Sequence, residues 1–258
     1  MELDEIRALY IQQQRIDVNY SGTRREVTEH VVRVIDDERG SVVYSRLNEA
    51  NADAVIAAEI AYFRRIGIAD DFEWKLYEGD QPADLKDRLI RHGFEPSEPP
   101  DAILALDLSN LPPKLAAPVT HDIRRVRDLA GLDDIYSVIE QVWSDEDHGS
   151  SKRYHGKLLL EQPDAESMYC AYVDGKPVSE GWIDFSGKDF SGLWGGATLP
   201  EYRNQGIYTA LVAVRAQEAI RRGKRILTID ASPMSRAVLE KQGFQLITSA
   251  WECLYKGE

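Results

Sequence analysis

The spacing of apolar residues along the second half of the chain alternates between strand and helix periods. Residues 123–126 and 167–173 predict strands, and Leu129–Trp143 has the spacing of an amphipathic helix. Asp174-Gly175 between two strand-like runs is typical of a β-hairpin. The other elements predicted in this half are a helix capped near Ser150, strands at 178–185, 190–199, 225–229 and 249–255, and helices at 207–221 and 232–239.

A proline-rich segment divides this pattern. Ser109–Pro118 carries three prolines within seven residues, which predicts an extended linker because proline cannot continue a helix or a central strand. We therefore expect a domain at 1–110, a linker at 111–118 and a second domain at 119–258.

The first segment repeats the ending of the second one. Its pattern predicts helix 52–65, strand 72–77, helix 82–91, Gly93-Phe94 and a strand at 103–108. The second segment has the same order and ends at Gly243-Phe244, 150 residues later. Two explanations are open: an ancient duplication, or two ordinary βαβ-like units that agree by coincidence.

Charge excludes some partners. The 258 residues contain 44 acidic and 31 basic side chains, for a net charge of −13. This surplus argues against nucleic acid and anionic membranes, while a cationic amine would be attracted. Solubility explains the surplus equally well. Residues 1–115 hold 23 acids and 14 bases, against 21 and 17 in 116–258, so the second half is the less acidic one.

Location and metal content follow from what the sequence lacks. The charged start and the absence of a long uncharged apolar stretch predict neither a leader nor a membrane span. Two cysteines make no disulfide framework, so we expect a cytoplasmic protein. No spacing of His, Cys and Asp resembles a metal site, and we expect no metal.

The most specific stretch of the chain runs from Ala197 to Leu211. A strand enters Pro200, and a short donor-rich turn then opens onto an amphipathic helix. The first amides of a helix are unbonded and lie at the positive end of its dipole, which makes an anion site. Gly206 lets the backbone approach a ligand, and Arg203 and Gln205 add side-chain donors. The expected ligand is a phosphate or pyrophosphate.

This stretch resembles the acyl-CoA-binding motif of the GCN5-related N-acetyltransferases (GNAT), Arg/Gln-x-x-Gly-x-Gly/Ala, which here is Arg203–Tyr208. The resemblance covers about residues 119–258. It implies a mixed α+β fold with a mostly antiparallel central sheet flanked by helices, in two GNAT-like domains in tandem. It implies acetyl-CoA as co-substrate, with pantetheine beside Ala197–Leu199. The residues implied to bind the cofactor are Ala197, Thr198, Leu199, Arg203, Asn204, Gln205, Gly206, Ile207, Tyr208 and Thr209.

Two positions depart from the family pattern. Tyr208 occupies the sixth motif position, where the family has glycine or alanine, and Leu239 occupies a position where the family often has a tyrosine acid. For the general base we favour Glu180 or Asp184 on the strand before the motif strand, and Tyr208 is a candidate acid. The alternatives are solvated carboxylates and a packed tyrosine. We also expect a free backbone N–H near Leu199 to polarise the thioester carbonyl.

Acceptor recognition has weaker signals. Asp145–Asp147 lies in the loop that usually lines the acceptor site in this family, but a solvated loop has the same composition. Three tryptophans are candidates either for walls of an acceptor pocket or for core packing: Trp143, Trp182 and Trp194.

The first segment has no glycine turn before its helix near Asn51, so we expect a degenerate GNAT-like domain there. It could complete the acceptor cleft or form a homodimer surface.

These observations predict an N-acetyltransferase that transfers an acetyl group from acetyl-CoA to a primary amine of a small molecule or peptide, by direct attack in a ternary complex. The alternative is a non-catalytic acyl-CoA-binding or regulatory protein, which Leu239 favours. The acceptor itself is not identified by the sequence.

Overall fold

A computed structural model of the protein describes residues 1–37, 39–68 and 72–257. It contains two compact units, neither of which is continuous in sequence. The first unit comprises Met1–Leu104, Ala231–Val238 and Gln245–Glu258, and the second comprises Ala105–Asp230 and Leu239–Phe244. The boundaries predicted at residues 110 and 118 stay a prediction.

The first unit is built on a mainly antiparallel sheet. Its strands, with those at the unit boundary, are β1 (Arg24–Val27), β2 (Val31–Ile35), β3 (Gly40–Ser45), β4 (Phe72–Tyr77), β5 (Phe94–Pro96), β6 (Asp101–Asp107) and β12 (Gln245–Tyr255). Strand β4 pairs in parallel with β3 and antiparallel with β12, whose Cys253 lies opposite Trp74. The strand predicted at 249–255 is therefore longer, and it belongs to the first unit.

Helices cover this sheet with apolar side chains. They are α1 (Leu3–Tyr10), which continues as a π-helix over Ile11–Ile16, α2 (Ala52–Ile66) and α3 (Leu85–Arg91). Helix α2 ends where Gly67 takes a left-handed φ of 82°. Phe63 stacks on Phe72 with ring centroids 4.0 Å apart, and the surrounding cluster includes Ile56 and Leu89. Burial of this apolar area stabilises the unit.

The second unit is a five-stranded sheet in the order β7-β8-β9-β10-β11. Its strands are β7 (Asp122–Arg125), β8 (Glu166–Val173), β9 (Lys176–Asp184), β10 (Phe190–Trp194) and β11 (Ile226–Ala231), and its helices are α4 (Pro113–Ala116), α5 (Leu129–Val142), α6 (Gly149–Glu161) and α7 (Ile207–Arg221). Helix α8 (Pro233–Glu240) crosses the unit boundary. Neighbouring strands are antiparallel except β10 and β11.

Two predictions about individual segments are wrong. The proline-rich segment is not wholly extended: Leu108–Asn110 is a 3-10 turn and α4 is helical, since proline fits the first turn of a helix. The strand predicted at 190–199 ends at Trp194, because Gly195 and Gly196 both adopt positive φ, at 65° and 106°.

The repeated element order is present in both parts of the chain. Helix, strand, helix, Gly-Phe and strand occur from α2 to β6 and again from α7 to β12. The two glycines have nearly equal left-handed φ angles, 88° at Gly93 and 92° at Gly243.

Candidate active site

Two parallel strands separate at the centre of the second unit. Strand β10 pairs with β11 over Phe190–Gly192, while β11 runs on to Ala231. On its other edge, β10 pairs with β9 up to Trp194, which lies opposite Trp182. The described register between β10 and β11 thus ends at Gly192, which leaves a gap in the pairing of the two strands beyond that residue.

Glu180 holds the turn that follows β10. Its Oε1 accepts hydrogen bonds from the backbone N–H of Gly196, at 3.1 Å, and of Ala197, at 2.8 Å. A Cβ on Gly195 would lie only 2.6 Å from Glu180 Oε2, so this close approach requires glycine. Glu180 therefore fixes the path by which the chain leaves the strand.

The chain rejoins β9 after this turn. Leu199 N–H donates to Val178 O at 3.0 Å, and Ser179 Oγ lies 2.7 Å from both Ala197 O and Thr198 Oγ1. The expectation of a free N–H at Leu199 is therefore wrong, because the strand resumes its pairing beyond the two glycines. The site residues Ala197, Thr198 and Leu199 lie together in this segment.

The turn predicted to bind an anion lies directly before α7. Pro200–Tyr202 is a 3-10 turn, Asn204 has a φ of 60°, and Gly206 caps α7 with a φ of 81°. The first helical bond runs from Ala210 N–H to Gly206 O, so the amides of residues 207–209 precede the hydrogen-bonded part of the helix. The side chains from Arg203 to Gln205 are exposed.

Part of the donor capacity of this turn stabilises the turn itself. Arg203 Nε donates to Thr198 O at 3.0 Å, and Gln205 Nε2 donates to Glu201 O at 3.0 Å. Both side chains therefore hold the loop in shape, beside the role of phosphate donor that the sequence predicts for them.

The candidate base Glu180 is fully buried. Burial raises its pKa to about 7, while the Ala197 and Gly196 N–H groups and the Arg215 guanidinium act in the opposite direction. Its Oε2 has no hydrogen-bond partner among the described residues. One oxygen is thus structural, and the other is available to a proton near neutral pH.

The other candidate carboxyl, Asp184, lies two positions beyond Trp182 on β9. It accepts hydrogen bonds from Ser186 N–H at 3.1 Å and Ser186 Oγ at 2.6 Å, and burial raises its pKa. Its cross-strand neighbour is Glu166. The contacts of Asp184 are with its own turn, whereas those of Glu180 are with the motif segment.

The sequence family of this unit follows from comparison with known proteins. The family model described as the acetyltransferase (GNAT) family matches residues 132–244, which include the gap, the glycine turn and α7. Residues 132–244 are therefore similar to the GNAT family. This similarity supports acyl transfer from CoA as the general chemistry of the site.

Solved structures extend the likeness to the rest of the chain. A GCN5-related N-acetyltransferase from Kribbella flavida is 17% identical with a TM-score of 0.65, over 98% of this chain and 95% of that one. A tandem GNAT protein from the clavulanic acid biosynthesis pathway is 13% identical with a TM-score of 0.59, over 99% and 88%. A GCN5-related N-acetyltransferase from Sphaerobacter thermophilus is 14% identical with a TM-score of 0.58, over 89% and 78%.

These likenesses confirm the predicted fold class and its tandem arrangement. No curated protein matches the sequence.

The bulky Tyr208 of the GNAT motif is accommodated by a glycine elsewhere. A Cβ on Gly196 would lie 2.8 Å from Tyr208 Cε2, so the ring packs where a side chain would otherwise stand. Burial raises the pKa of Tyr208, which keeps the phenol protonated. The tyrosine at the sixth motif position therefore fits because Gly196 has no side chain.

The other departure, Leu239, is fully buried as an apolar side chain. Three residues later, Gln242 Nε2 donates to Thr209 Oγ1 at 2.9 Å and so ties the Gly-Phe turn to the start of α7. Predicted cofactor residue Thr209 is therefore engaged in a contact within the domain.

Two functional candidates of the GNAT domain escaped the sequence analysis. His121 Nε2 lies 3.3 Å from Gln205 O, beside Gly206, and is separated from the motif by 84 residues. Arg215 is fully buried on α7 and bonds the backbone of β9 and β10. Arg215 could have been identified from the sequence, because it is a charged residue on the apolar face of a helix. His121 had no such signal in the sequence.

The tryptophans divide into two groups. An added Cβ on Gly195 would lie 2.5 Å from Trp182 Cζ3, and one on Gly192 would lie 2.7 Å from Trp194 Nε1. Both indoles therefore lie against the glycines of β10 and its turn. Trp143 ends α5 and is exposed, as is the acidic loop 145–147.

The first unit differs from the GNAT domain at the start of its helix. Before α2, Asn48 Oδ1 accepts from Ala50 N–H at 2.9 Å, and Asn51 Oδ1 accepts from Asn48 N–H at 2.8 Å. Asp53 in the first turn bonds Arg88 and His92. Side-chain oxygens thus bond the turn before α2, whereas the turn before α7 has a left-handed glycine and exposed side-chain donors.

Within 1–37, 39–68 and 72–257, no group of three or more His, Cys, Asp or Glu could hold a metal ion. Over those ranges, no helix is both long and apolar enough to cross a bilayer.

Proposed function

We propose that the protein is an acetyl-CoA-dependent N-acetyltransferase whose acceptor is a primary amine of a small molecule or peptide. The observation that carries this proposal is the left-handed Gly206 turn at the start of α7, within the residues that match the GNAT family. We assign the catalytic role to residues 119–258 and no cofactor to residues 1–110. A cytoplasmic location and a homodimer stay predictions.

The cofactor residues have distinct roles in this proposal. The amides of Ile207, Tyr208 and Thr209 would hold the pyrophosphate at the helix N-terminus, together with Arg203 and Gln205. The segment Ala197–Leu199 would run beside the pantetheine arm. Acetyl-CoA supplies the acetyl group through its thioester.

Proton transfer is assigned to Glu180 and Tyr208. The amine nitrogen forms a bond to the thioester carbonyl carbon as the C–S bond breaks, and its proton passes through water to Glu180. Water is needed because the carboxyl is fully buried. Tyr208 gives its phenolic proton to the leaving thiolate, and solvent returns the proton from Glu180 to Tyr208. The pKa of about 7 suits Glu180 as a base near neutral pH, and the raised pKa of Tyr208 keeps its phenol protonated before the transfer.

One observation favours a second candidate function. Leu239 is fully buried and apolar at a position where GNAT members often have a tyrosine acid. A protein that binds acyl-CoA without turnover, in a regulatory role, would retain the turn and lose this acid.

Calorimetry with acetyl-CoA, followed by measurement of free thiol, separates these functions. The acceptor panel would include polyamines, aminoglycosides, amino acids and peptides. We expect binding, and thiol release with at least one amine. Binding without thiol release across the panel would support the second function, and no binding would contradict both.

A further inference from the structure

Arg215 is an unusual residue for the centre of a helix that packs on a sheet. Its side chain is fully buried, and its Nε donates to Leu211 O in its own helix at 3.0 Å. Its Nη1 donates to both Trp182 O and Trp194 O at 3.0 Å. Burying a guanidinium costs desolvation free energy, which only hydrogen bonds and nearby negative charge can offset.

The two carbonyls that Arg215 bonds mark a specific point of the sheet. Trp182 and Trp194 are the last pair in the register of β9 and β10 before the chain turns at Gly195. A Cβ on Gly181 would lie 2.7 Å from Arg215 Nη1, so β9 has a glycine where the guanidinium passes. Arg215 therefore clamps the strand ends from which the cofactor-binding segment departs.

Arg215 and Glu180 each have one buried polar atom that makes no hydrogen bond among the described residues. Glu180 Oε2 and Arg215 Nη2 are buried, and neither has a hydrogen-bond partner among the described residues. Buried polar atoms of native proteins almost always have partners. The two atoms carry opposite charges, and both side chains act on the pKa of Tyr208, in opposite directions. They belong to one electrostatic cluster around the glycine turn.

We propose that Arg215 is a positioning residue for acyl transfer, which holds the ends of β9 and β10 in register and directs a positive charge at the Glu180 carboxyl. This inference rests on the proposed function, in which Glu180 is the base. Arg215 itself does not touch the reacting atoms.

The groups around Glu180 define what the charge of Arg215 does. Tyr208 faces it from α7, Tyr136 from α5 and Cys170 from the opposite position of β8. These three are neutral at pH 7, since burial raises their pKa values. Loss of the guanidinium should therefore raise the pKa of Glu180 by about one unit or more.

The test compares the pH dependence of kcat/KM in the full-length wild type, Arg215→Met and Arg215→Lys. The acidic limb of this profile is the range in which kcat/KM rises as Glu180 loses its proton. In Arg215→Met, we expect this limb to move to higher pH by about one unit. Arg215→Lys keeps a charge and should leave the limb near its wild-type position while kcat falls. The KM for acetyl-CoA should change little in both variants.

Arg222→Met is the matched control. Arg222 follows the last residue of α7, about two turns beyond Arg215, and pairs with Glu218 at 2.8 Å. Its loss should lower the melting temperature without moving the acidic limb. If Arg215→Met does not fold, Arg215→Gln replaces it, because an amide can still donate to the Trp182 or Trp194 carbonyl.

Titration of the Glu180 carboxyl by carbon-13 NMR keeps this inference separate from the proposed function. If the wild type does not bind acetyl-CoA, the proposed function is wrong. The difference in the Glu180 titration midpoint between the wild type and Arg215→Met would still measure the effect of Arg215. An unchanged limb and an unchanged NMR midpoint in Arg215→Met, or in its replacement, would overturn the positioning role. Reduced activity with a shifted midpoint supports it.

Discussion

Gly206 combines two requirements at one residue. Its φ of 81° belongs to the left-handed region, and a Cβ there would lie 3.8 Å from His121 Cε1. The backbone angle thus requires glycine, whereas the space around the residue is open enough for ordinary contact. A substitution here tests the anion site more than the packing of the core.

Gly206→Glu should abolish acetyl-CoA binding while the fold stays intact. The new carboxylate would stand beside the first amides of α7, which we propose bind the pyrophosphate, and we expect at least a 100-fold loss of affinity, about 3 kcal/mol. Calorimetry measures the affinity and circular dichroism the fold.

Gly223→Glu is the matched control, since Gly223 follows the other end of α7, has a φ of 75° and has open space around it. Both variants should be destabilised by about 1–2 kcal/mol from the left-handed angle. Only Gly206→Glu should lose the cofactor. Retained affinity would mean that the anion site lies elsewhere.

Glu180→Gln should remove the pH dependence of activity near neutrality. The pKa of about 7 predicts that kcat/KM of the wild type rises with pH through this value, as the carboxyl loses its proton. The amide variant should lose about 100-fold or more in kcat. It should still bind acetyl-CoA, because its carbonyl can accept from Gly196 and Ala197.

Asp184→Asn distinguishes the two predicted bases. It should retain the rise near pH 7 and most of the activity, since Asp184 bonds Ser186 and not the motif segment. The reverse outcome, with activity lost in Asp184→Asn and kept in Glu180→Gln, would reassign the base.

At the residue scale, sequence reasoning predicts conformation where it depends on local backbone. The turn that ends at Gly206 was predicted because its motif lies within six consecutive residues, and its role in cofactor binding stays a prediction. His121 and Arg215 were missed because their roles depend on contacts across the sheet and the helix face. The free N–H predicted at Leu199 was wrong for the same reason, since its acceptor, Val178 O, lies on another strand.

At the scale of elements, the pair β8–β9 carries carboxyl groups on a buried face. Glu166 lies opposite Asp184 in the register, and its side chain is only 8% exposed. Burial and the Asp184 charge raise the pKa of Glu166 to about 8. His155, 3.7 Å from Glu166, has its pKa lowered by burial to about 4. Both groups are therefore neutral in the folded protein near pH 6.

Glu166→Gln should stabilise the protein selectively at high pH. The folded pKa of Glu166 lies above its ordinary value of 4.5, so its contribution to stability is complete below pH 4.5 and is lost as the pH rises to about 8. The melting temperature of the variant minus that of the wild type should therefore increase between pH 5 and pH 8. The free-energy change is on the order of a few kcal/mol.

Exposed Glu161, at the end of α6, supplies the comparison. Glu161→Gln should give the same difference from the wild type at both pH values. A Glu166→Gln difference that is also flat with pH would contradict the buried protonated carboxyl.

Elements were predicted well where periodicity continued and poorly where a local device interrupted it. Strand β4 has the predicted bounds, and helix α7 ends within the stop predicted at residues 221–223, because their apolar faces repeat without interruption. Strand β10 is shorter than predicted. Gly195 and Gly196 end it through their positive φ angles, whereas the apolar pattern used for the prediction continues past them. Helix α4 was missed because a single turn that begins at proline has no periodic signal.

At the scale of the whole molecule, the two units should differ in cofactor binding. Asn48 and Asn51 bond the backbone of the turn before the helix of the first unit, and Asp53 brings negative charge to the helix start. Residues 1–115 are also the more acidic half of the sequence. Both features oppose a pyrophosphate.

Calorimetry of the full chain should therefore give one acetyl-CoA per chain. Gly206→Glu should reduce this stoichiometry to zero, and Gly223→Glu should leave it unchanged. A stoichiometry of two in the wild type, or of one in Gly206→Glu, would contradict a cofactor-free first unit.

The pairing of β12 has a consequence for how the chain is made. Residues 250–254 supply one neighbour of β4 in the sheet of the first unit, yet they follow every residue of the second unit in the sequence. Until they are made, β4 has an unpaired edge, and such edges invite aggregation. Synthesis from the N-terminus cannot finish the first unit before the second. A gene divided at the proline-rich segment would encode a first product that lacks one of its strands.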